Sequence, residues 1–427
     1  MIRIDAYNEL KEEEIFARYQ EQTDVAPAVS EIIAGVRADR DKALFAYTER
    51  FDHVKLTSLR VSEAEIEAAV GKVDPVLLEV MSEAAEHIAA YHEKQIRHDY
   101  AITDRPGVVL GQRVLPLERV GIYVPGGTAA YPSTVLMDSI PARLAGVKEI
   151  IMVTPPAKDG SINPNILAAA YIAGVTTIYK VGGAQAIAAL AYGTETIPMV
   201  DKIVGPGNAY VAEAKKQVFG QVGIDMVAGP SEVLIIADEH SDPVCVAADL
   251  LSQAEHDRMA SAVLITDSKQ LAESVREQIE TQLKKLEREE IARASIDHNG
   301  RIILVGDLKE AVQCSNRIAP EHLELCVDDP FALLSLVTNA GSVFLGRYNP
   351  EPMGDYFAGP NHTLPTMGTA RFYSPLSVDD FVKKMQYSYF TKDALAEDAM
   401  KVSLFARSEG LTAHARAVEL RFRGDGE

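Results

Sequence analysis

The spacing of apolar residues along this chain of 427 residues predicts helices first and alternating strands and helices later. Before residue 100, Ile66, Ala69 and Val73 recur at helical spacing among Glu and Lys residues. Asp74-Pro75 then predicts a new helix, because Asp accepts backbone N–H groups as an N-cap and Pro fits the first turn. The first part of the chain is therefore predicted to be helical.

From about residue 149, short apolar runs alternate with helical patterns. Strands are predicted at 150–153, 177–181, 202–204, 224–227, 233–237, 262–266, 302–305, 323–327 and 342–345. Helices are predicted between them, at 164–173, 184–192, 208–218 and near 267–293. This alternation is typical of parallel sheets with right-handed crossovers. The fold class is therefore α/β, with two doubly wound Rossmann-like units whose ligands are expected at the carboxyl ends of the strands.

The last segment, from about residue 378, leaves that alternation. A helical pattern at 395–408 can end at Gly410, and Thr412 can open another helix as its N-cap. Such an arm has little core of its own, so we expect it to pack on another domain or subunit. Four parts follow: a helical N-terminal region packing on the second α/β unit (1–116), the two α/β units (117–231 and 232–377), and an extended helical C-terminal arm (378–427).

Composition and charge exclude two classes of partner. The chain has 42 basic and 62 acidic residues, which gives a net charge of −20. An acidic chain lacks the positive charge that binding to nucleic-acid phosphates requires, and it is a poor match for anionic membrane surfaces. The three cysteines lack disulfide or metal spacing, and no signal peptide or membrane span is visible. We therefore expect a cytoplasmic protein with reduced thiols and without nucleic-acid or membrane partners.

Two segments carry candidate metal ligands. Gln253 and His256 are three residues apart in a helical pattern, which places both on one face. Asp355 lies in a loop rich in Gly and Pro and can complete a nitrogen and oxygen site of the kind that zinc accepts. The alternatives are a polar patch on a helix and a structural turn in which Asp355 bonds its own backbone.

A third segment carries a candidate acid–base pair, Glu321-His322, between Pro320 and the strand predicted at 323–327. Glu and His are the usual general bases of enzymes, although a charged strand start is the simpler reading of one such pair. His414 lies in the first turn of its predicted helix, where a lone histidine is usually solvated.

Glycine-rich turns indicate a dinucleotide. No complete G-x-G-x-x-G motif is present, but such turns occur at 125–128, 182–185 and 205–208, and the last opens a helix whose N-terminus can accept phosphate. Each alone is equally compatible with ordinary turn glycines.

Taken together, these motifs resemble the histidinol dehydrogenase family from about Leu117 to Arg421. The matching blocks are Arg-Val-Gly-Ile-Tyr-Val-Pro-Gly-Gly at 119–127, Val-Gly-Pro-Gly-Asn at 204–208, Ala-Gly-Pro-Ser-Glu at 228–232, Ser-Gln-Ala-Glu-His-Asp at 252–257, Ala-Pro-Glu-His-Leu-Glu-Leu at 319–325, Gly-Asp-Tyr-Phe-Ala-Gly-Pro-Asn-His-Thr-Leu-Pro-Thr at 354–366 and Glu-Gly-Leu-Thr-Ala-His at 409–414.

The resemblance implies roles for particular residues of this chain. Zinc would be held by Gln253, His256, Asp355 and His414. NAD would contact Tyr123, Gln185 and Asn208. The acid–base pair would be Glu321 and His322. The substrate would contact the four zinc ligands together with Ser231, His322 and Glu409.

The reaction implied is the last step of histidine biosynthesis, in which L-histidinol is oxidised to L-histidine through L-histidinal and two NAD⁺ are reduced. The resemblance also implies an intertwined homodimer, in which His414 completes the partner's site. On the motifs alone, a zinc hydrolase with Glu321 as base is an alternative, and a catalytically silent metal- or nucleotide-binding regulator is a second one.

Overall fold

The computed structural model describes residues 1–11, 24–126 and 130–422, so Gly127 and Thr128 of the predicted turn at 125–128 lie outside the described residues. The chain divides into two compact units. The large unit comprises Met1–Gln95 and Leu117–Phe381, and the small unit comprises Ile96–Pro116 and Val382–Glu427.

The described strands and helices are numbered in chain order. The strands are β1 (Arg3–Ala6), β2 (Tyr100–Ile102), β3 (Val108–Pro116), β4 (Arg119–Tyr123), β5 (Glu149–Thr154), β6 (Thr177–Lys180), β7 (Lys202–Val204), β8 (Gly223–Ile224), β9 (Glu232–Ala237), β10 (Ser261–Thr266), β11 (Arg301–Leu304), β12 (His322–Cys326), β13 (Ser342–Leu345) and β14 (Val382–Phe390). The α-helices are α1 (Ala26–Phe51), α2 (Glu63–Val70), α3 (Pro75–His92), α4 (Pro132–Leu144), α5 (Pro164–Ala173), α6 (Gly183–Tyr192), α7 (Ala209–Val218), α8 (Pro243–Ala254), α9 (Lys269–Leu283), α10 (Glu289–Asn299), α11 (Leu308–Ile318), α12 (Pro330–Leu334), α13 (Pro352–Tyr356), α14 (Lys392–Ser408) and α15 (Thr412–Glu419). None of the described helices combines the length and the apolar character that crossing a bilayer requires.

The large unit contains two parallel sheets, which confirms the predicted mixed α/β architecture. The first sheet has five strands in the order β6-β5-β4-β7-β8, and the second has six in the order β1-β11-β10-β9-β12-β13. Strand β9 is buried along its whole length, and its apolar residues enter two different core clusters. Strands buried on both faces read as continuous apolar runs, which is why the sequence identified most of them.

Two strands of the large unit were missed. Strand β4 contains Gly121, which interrupts its apolar pattern. A Cβ at Gly121 would lie 2.8 Å from Cδ1 of Leu190, so α6 packs too closely for a larger residue. Strand β1 is short and partly polar, and it is recognisable only by its parallel pairing with β11.

The N-terminal helices correct one expectation. They were predicted to pack on the second α/β unit, but α1 packs on α6 and α7, and α2 and α3 pack on α4 and α5. Val29 and Val36 of α1 enter the same core cluster as Ile151 and Val153 of the first sheet. The local prediction at Asp74-Pro75 is confirmed, because Asp74 caps α3 through a hydrogen bond of 2.9 Å from the Val76 N–H.

The small unit was predicted only in part. Helices α14 and α15 occur where the pattern near the C-terminus indicated two helices, and they pack on each other. A three-stranded antiparallel sheet, β14-β3-β2, accompanies them. Residues 100–116 therefore form strands rather than part of a helical region. The pairing partner of β3 is β14, more than 260 residues away in the register Val108 to Phe390, and no local pattern reveals such a partner.

Candidate active site

The predicted acid–base pair, Glu321 and His322, lies where two neighbouring strands of the second sheet begin. Strands β9 and β12 run parallel with His322 opposite Val233, so Ser231 and Glu321 precede them at the same edge. The Glu232 N–H donates to Glu321 Oε2 at 2.8 Å, and the Glu232 carbonyl accepts from His322 Nδ1 at 2.9 Å. One peptide segment thus fixes both side chains.

His322 is held as a neutral imidazole with one nitrogen available. A carbonyl oxygen can only accept, so the bond to Glu232 places the proton on Nδ1. Burial lowers the pKa of His322. Its Nε2 is buried and has no hydrogen-bond partner among the residues that the structure describes, so it carries a lone pair that can take a proton.

Glu321 is buried beside His322, with Oε2 at 3.6 Å from Nδ1. Burial raises the pKa of Glu321 well above its usual range, against the backbone hydrogen bond from Glu232, and the charges of Glu232 and Asp355 raise it further. A carboxyl group tuned in this way exchanges protons nearer neutral pH than an exposed one.

Two more carboxyl groups approach His322 from the short helix α13 and the residue before it. Glu351 is buried, and burial followed by the charge of Asp355 raises its pKa to about 10. Within the described part of the chain its Oε1 has no hydrogen-bond partner, and this atom lies 3.6 Å from His322 Nε2. Ligand atoms of His322, Glu351 and Asp355 lie within 4.8 Å of one another. The predicted metal ligand Asp355 therefore stands in a group that can hold a cation.

The predicted ligands Gln253 and His256 belong to the last turn of α8 and the segment that follows it. Gln253 is buried with Oε1 unpartnered, which is costly unless a ligand or ion completes it. His256 is half-buried. Burial lowers the pKa of His322 and of His362, and the nearby His256 contributes to the lowering in both. The loop that carries His362 therefore lies close enough to His256, just after α8, for the two imidazoles to interact.

The loop after α13 is tied to α4, the helix that follows β4. Asn361 Nδ2 donates to the Met137 carbonyl at 2.6 Å, and Thr363 Oγ1 donates to Asp138 Oδ1 at 2.8 Å. His362 Nδ1 lies 3.2 Å from the Asp355 carbonyl. These bonds join the loop that follows Asp355 and α13 to helix α4.

The predicted cofactor residues lie at the carboxyl ends of the first sheet. Tyr123 ends β4, and its hydroxyl accepts from the Gly183 N–H at 3.1 Å. Gln185 is buried in the first turns of α6, and Asn208 caps α7 by accepting from the Tyr210 N–H at 3.0 Å. Burial raises the pKa of Tyr123 to about 12, so its phenol stays protonated.

The glycine-rich turn at 205–208 rests on a buried ion pair. Gly205 has a φ of 111°, and a Cβ there would lie 2.2 Å from the Tyr123 carbonyl oxygen, so only glycine fits. Lys215 Nζ donates to the Gly205 carbonyl at 2.9 Å, and the Gly205 N–H donates to Asp225 Oδ2 at 2.8 Å. Lys215 and Asp225 also form an ion pair. Both polar groups of Gly205 are thereby held.

Asp138 beside this turn supports a stability prediction. It is fully buried, and burial raises its pKa to about 8, while its Oδ2 has no partner. The folded state resists ionising Asp138, so its stability falls as pH rises from about 4 towards 8. Asp138→Asn, which keeps the acceptor for Thr363, should stabilise the fold by about 2 to 4 kcal/mol at pH 7 and by little near pH 4.

Denaturant midpoints of the two proteins at several pH values check this prediction. The exposed Asp104 provides the control, since Asp104→Asn should leave the midpoint nearly unchanged at each pH. If the denaturant midpoints of Asp138→Asn and the parent differ by the same amount at every pH from 4 to 8, the prediction is wrong.

Ligands of parallel sheets were expected at the carboxyl ends of the strands, but the predicted acid–base pair does not lie there. Glu321 and His322 stand at the amino ends of the second sheet. The carboxyl ends of that sheet carry Asp238 and Asp328 instead, and Arg347 binds both, with Nη2 at 2.9 Å from Asp328 Oδ1. The register of β9 and β12, rather than the general rule, determines this location.

Glu409 and His414 lie in the small unit. Glu409 follows the end of α14, and His414 lies in α15, and both are exposed. The sequence did not assign roles to Glu351, His362 or Lys215, because burial and missing partners distinguish them rather than any local motif.

Comparisons with known proteins identify the family of the chain. A profile of the histidinol dehydrogenase family matches residues 17–422. The chain belongs to the histidinol dehydrogenase family. It is 54% identical over 398 residues to the histidinol dehydrogenase of Listeria monocytogenes, covering 93% of each chain. It is 55% identical over 404 residues to that of Clostridium acetobutylicum, covering 95% of this chain and 94% of the other.

A solved structure supports the same assignment. The crystal structure of histidinol dehydrogenase from Elizabethkingia anophelis is 41% identical, covers 98% of both chains and superposes with a TM-score of 0.94. The chain is therefore an oxidoreductase, as predicted, and the family supports a dehydrogenase role in histidine biosynthesis. This assignment favours the dehydrogenase over the hydrolase and the silent binding protein.

Proposed function

We propose that the chain oxidises L-histidinol to L-histidine through L-histidinal, with zinc bound and with two NAD⁺ reduced in succession. The observation that carries the proposal is the neutral His322, whose buried Nε2 has no partner, next to the buried Glu321. A dehydrogenase needs such a group, because the alcohol proton must leave as the hydride departs.

The donor atoms at the site fit zinc. Gln253, His256 and Asp355, with His414 as fourth ligand, supply the imidazole nitrogens and oxygens that zinc accepts, and the unpartnered Gln253 Oε1 suits a ligand role. When bound, zinc would orient the imidazole and amine of the substrate and, as a nearby cation, would favour the ionised form of Glu321.

The two acid–base residues would take successive protons. His322 Nε2 would accept the proton of the alcohol during the first oxidation. Glu321 would then accept a proton from the water that hydrates the aldehyde, since only the hydrate carries the hydrogen and hydroxyl groups needed for a second oxidation. Their shared attachment to Glu232 would keep both groups on one side of the substrate carbon.

The first sheet would hold the cofactor. Tyr123, Gln185 and Asn208 lie at the carboxyl ends of β4, β6 and β7, and the strand order supports the Rossmann-like description of this sheet. The N-termini of α6 and α7 lie at this edge, where the positive ends of the helix dipoles suit a pyrophosphate. NAD⁺ would supply the hydride acceptor. In this proposal residues 117–231 serve the cofactor and residues 232–377 serve zinc and proton transfer.

We also infer a homodimer in which Glu409 and His414 serve the partner's site. The small unit exposes large apolar side chains on α14, including Met400, Leu404 and Phe405, each at least 70% exposed. Contiguous apolar exposure of this kind is typical of interaction surfaces. A cytoplasmic location stays a prediction.

NADH absorbance tests the proposal. The purified protein, given L-histidinol and NAD⁺, should form two NADH for each L-histidinol consumed. Removal of metal by a chelator should abolish turnover, and added zinc should restore it. A folded, zinc-loaded protein that forms no NADH would refute the dehydrogenase proposal, and unchanged turnover after verified metal removal would refute the zinc requirement.

A further inference from the structure

We propose that Glu351 is a further catalytic residue, which accepts a hydrogen bond from the aldehyde hydrate during the second oxidation. This inference rests on the proposed function. It assigns a role in substrate binding to Glu351, which lies between β13 and α13.

Two unpartnered atoms carry the inference. His322 Nε2 and Glu351 Oε1 are both buried, neither has a hydrogen-bond partner among the described residues, and they lie 3.6 Å apart. Buried polar atoms in folded proteins almost always have partners. Two such atoms side by side therefore indicate a place where a polar group of the substrate binds.

The position of Glu351 is firmly set. Its N–H donates to Glu324 Oε1 at 2.8 Å, and Glu324 belongs to β12, two residues after His322. The same strand thus anchors both members of the pair. The preceding segment also contains Pro350, which restricts the backbone at that point. Glu351 is therefore pre-positioned next to the catalytic base.

The chemistry of the substrate explains why two acceptors are needed. L-histidinol has one hydroxyl group on the reacting carbon, and His322 Nε2 can take its proton. The hydrate of L-histidinal has two hydroxyl groups on that carbon. As the hydride passes to NAD⁺, one hydroxyl proton passes to His322, the carboxylic acid forms and the second hydroxyl proton is then released to solvent. Glu351 Oε1 would hold this second hydroxyl group.

Holding both hydroxyl groups also orients the hydrogen that leaves. With two of the four substituents of the carbon fixed, and the side chain fixed by its own contacts, the remaining hydrogen can point only towards the cofactor. Positioning of this kind is a major source of rate enhancement in enzymes. The carboxyl oxygen acts here as a hydrogen-bond acceptor, a role that an amide oxygen can also perform.

L-Histidinal allows a direct test, because it can be either oxidised or reduced by the enzyme. Oxidation with NAD⁺ passes through the hydrate, whereas reduction with NADH to L-histidinol does not. Glu351→Met, which removes the acceptor, should slow the oxidation by about tenfold to a hundredfold and the reduction by less than about threefold. Glu351→Gln, which keeps an acceptor oxygen, should stay within about threefold of the parent in both directions.

Bound zinc and L-histidinol affinity, measured by atomic absorption and calorimetry, separate this role from a structural one. Both should be unchanged in the two variants, and Glu67→Met, at an exposed position of α2, provides the control. Equal losses in both directions, loss of zinc in both variants, or a Glu351→Gln protein as slow as Glu351→Met would overturn the inference. If Glu351→Met does not fold, a Glu351→Gln protein more than about tenfold slower in oxidation overturns it alone.

Measurements on the parent protein distinguish the proposed dehydrogenase activity from the role of Glu351. NADH formation from L-histidinol by the parent tests the proposed function, independently of Glu351. A parent that turns over normally while Glu351→Met shows no selective loss would reject only the role of Glu351.

Discussion

Replacing His322 by Asn should lower kcat for L-histidinol oxidation by about a hundredfold to ten-thousandfold, the range that general bases contribute. An Asn side chain can still donate to the Glu232 carbonyl, as Nδ1 does at 2.9 Å, but it offers no atom at the position of Nε2. The variant should therefore fold and bind L-histidinol, while no group accepts the alcohol proton.

The measurement is steady-state NADH formation combined with calorimetric binding of L-histidinol. His298→Asn, on an exposed position of α10, is the matched control and should retain the parental rate. A His322→Asn protein that keeps more than about a tenth of the parental kcat would show that His322 is not the base. A protein that no longer binds L-histidinol would assign His322 to binding instead.

Replacing Lys215 by Met should lower the free energy of unfolding by about 3 to 5 kcal/mol, the usual cost of removing one partner of a buried ion pair. The Lys215 and Asp225 side chains are only 2% and 1% exposed. Without Lys215, the Asp225 charge stays buried and unpaired, and the Gly205 carbonyl loses its donor at 2.9 Å. The glycine-rich turn should also hold NAD⁺ less well.

Denaturant unfolding and the KM for NAD⁺ measure these two effects. The neighbouring Lys216 is 68% exposed at its side chain and pairs only with Glu213, so Lys216→Met should change stability by less than about 1 kcal/mol. Lys215→Met combined with Asp225→Asn should recover part of the loss, because the unpaired charge is removed. If Lys215→Met and Lys216→Met are equally stable, the ion pair does not support the turn.

The first sheet and the helices that cover it show which features a local sequence pattern predicts and which it does not. Helix α3 begins where Asp74-Pro75 predicted, because capping involves residues adjacent in the chain. Strand β4 was missed because Gly121 belongs to a strand only through its contact with Leu190 of α6. The N-terminal helices were assigned to the wrong sheet, since an apolar helix face does not identify the surface that it will cover.

The residue types at the candidate site could be recognised from the sequence, whereas their arrangement in space could not. Glu321 and His322 were recognisable as proton carriers from their residue types, and Asp355, Gln253 and His256 as possible metal ligands. The proximity of His322 to Glu321 and Asp355 depends on the register of β9 with β12 and on the packing of α13. Glu351 could not be recognised, because an unpartnered oxygen 3.6 Å from His322 Nε2 is a property of the packed chain.

The sequence by itself determined the alternation of strands and helices, the acidic net charge and the chemical types at the site, because these depend on residue identity and short spacing. Only the tertiary structure decided which sheet the N-terminal helices cover, that β14 pairs with β3, and that the pKa of His322 is lowered while the pKa values of Asp138 and Glu351 are raised. These features depend on burial and on partners distant in the chain, and both arise only when the chain packs.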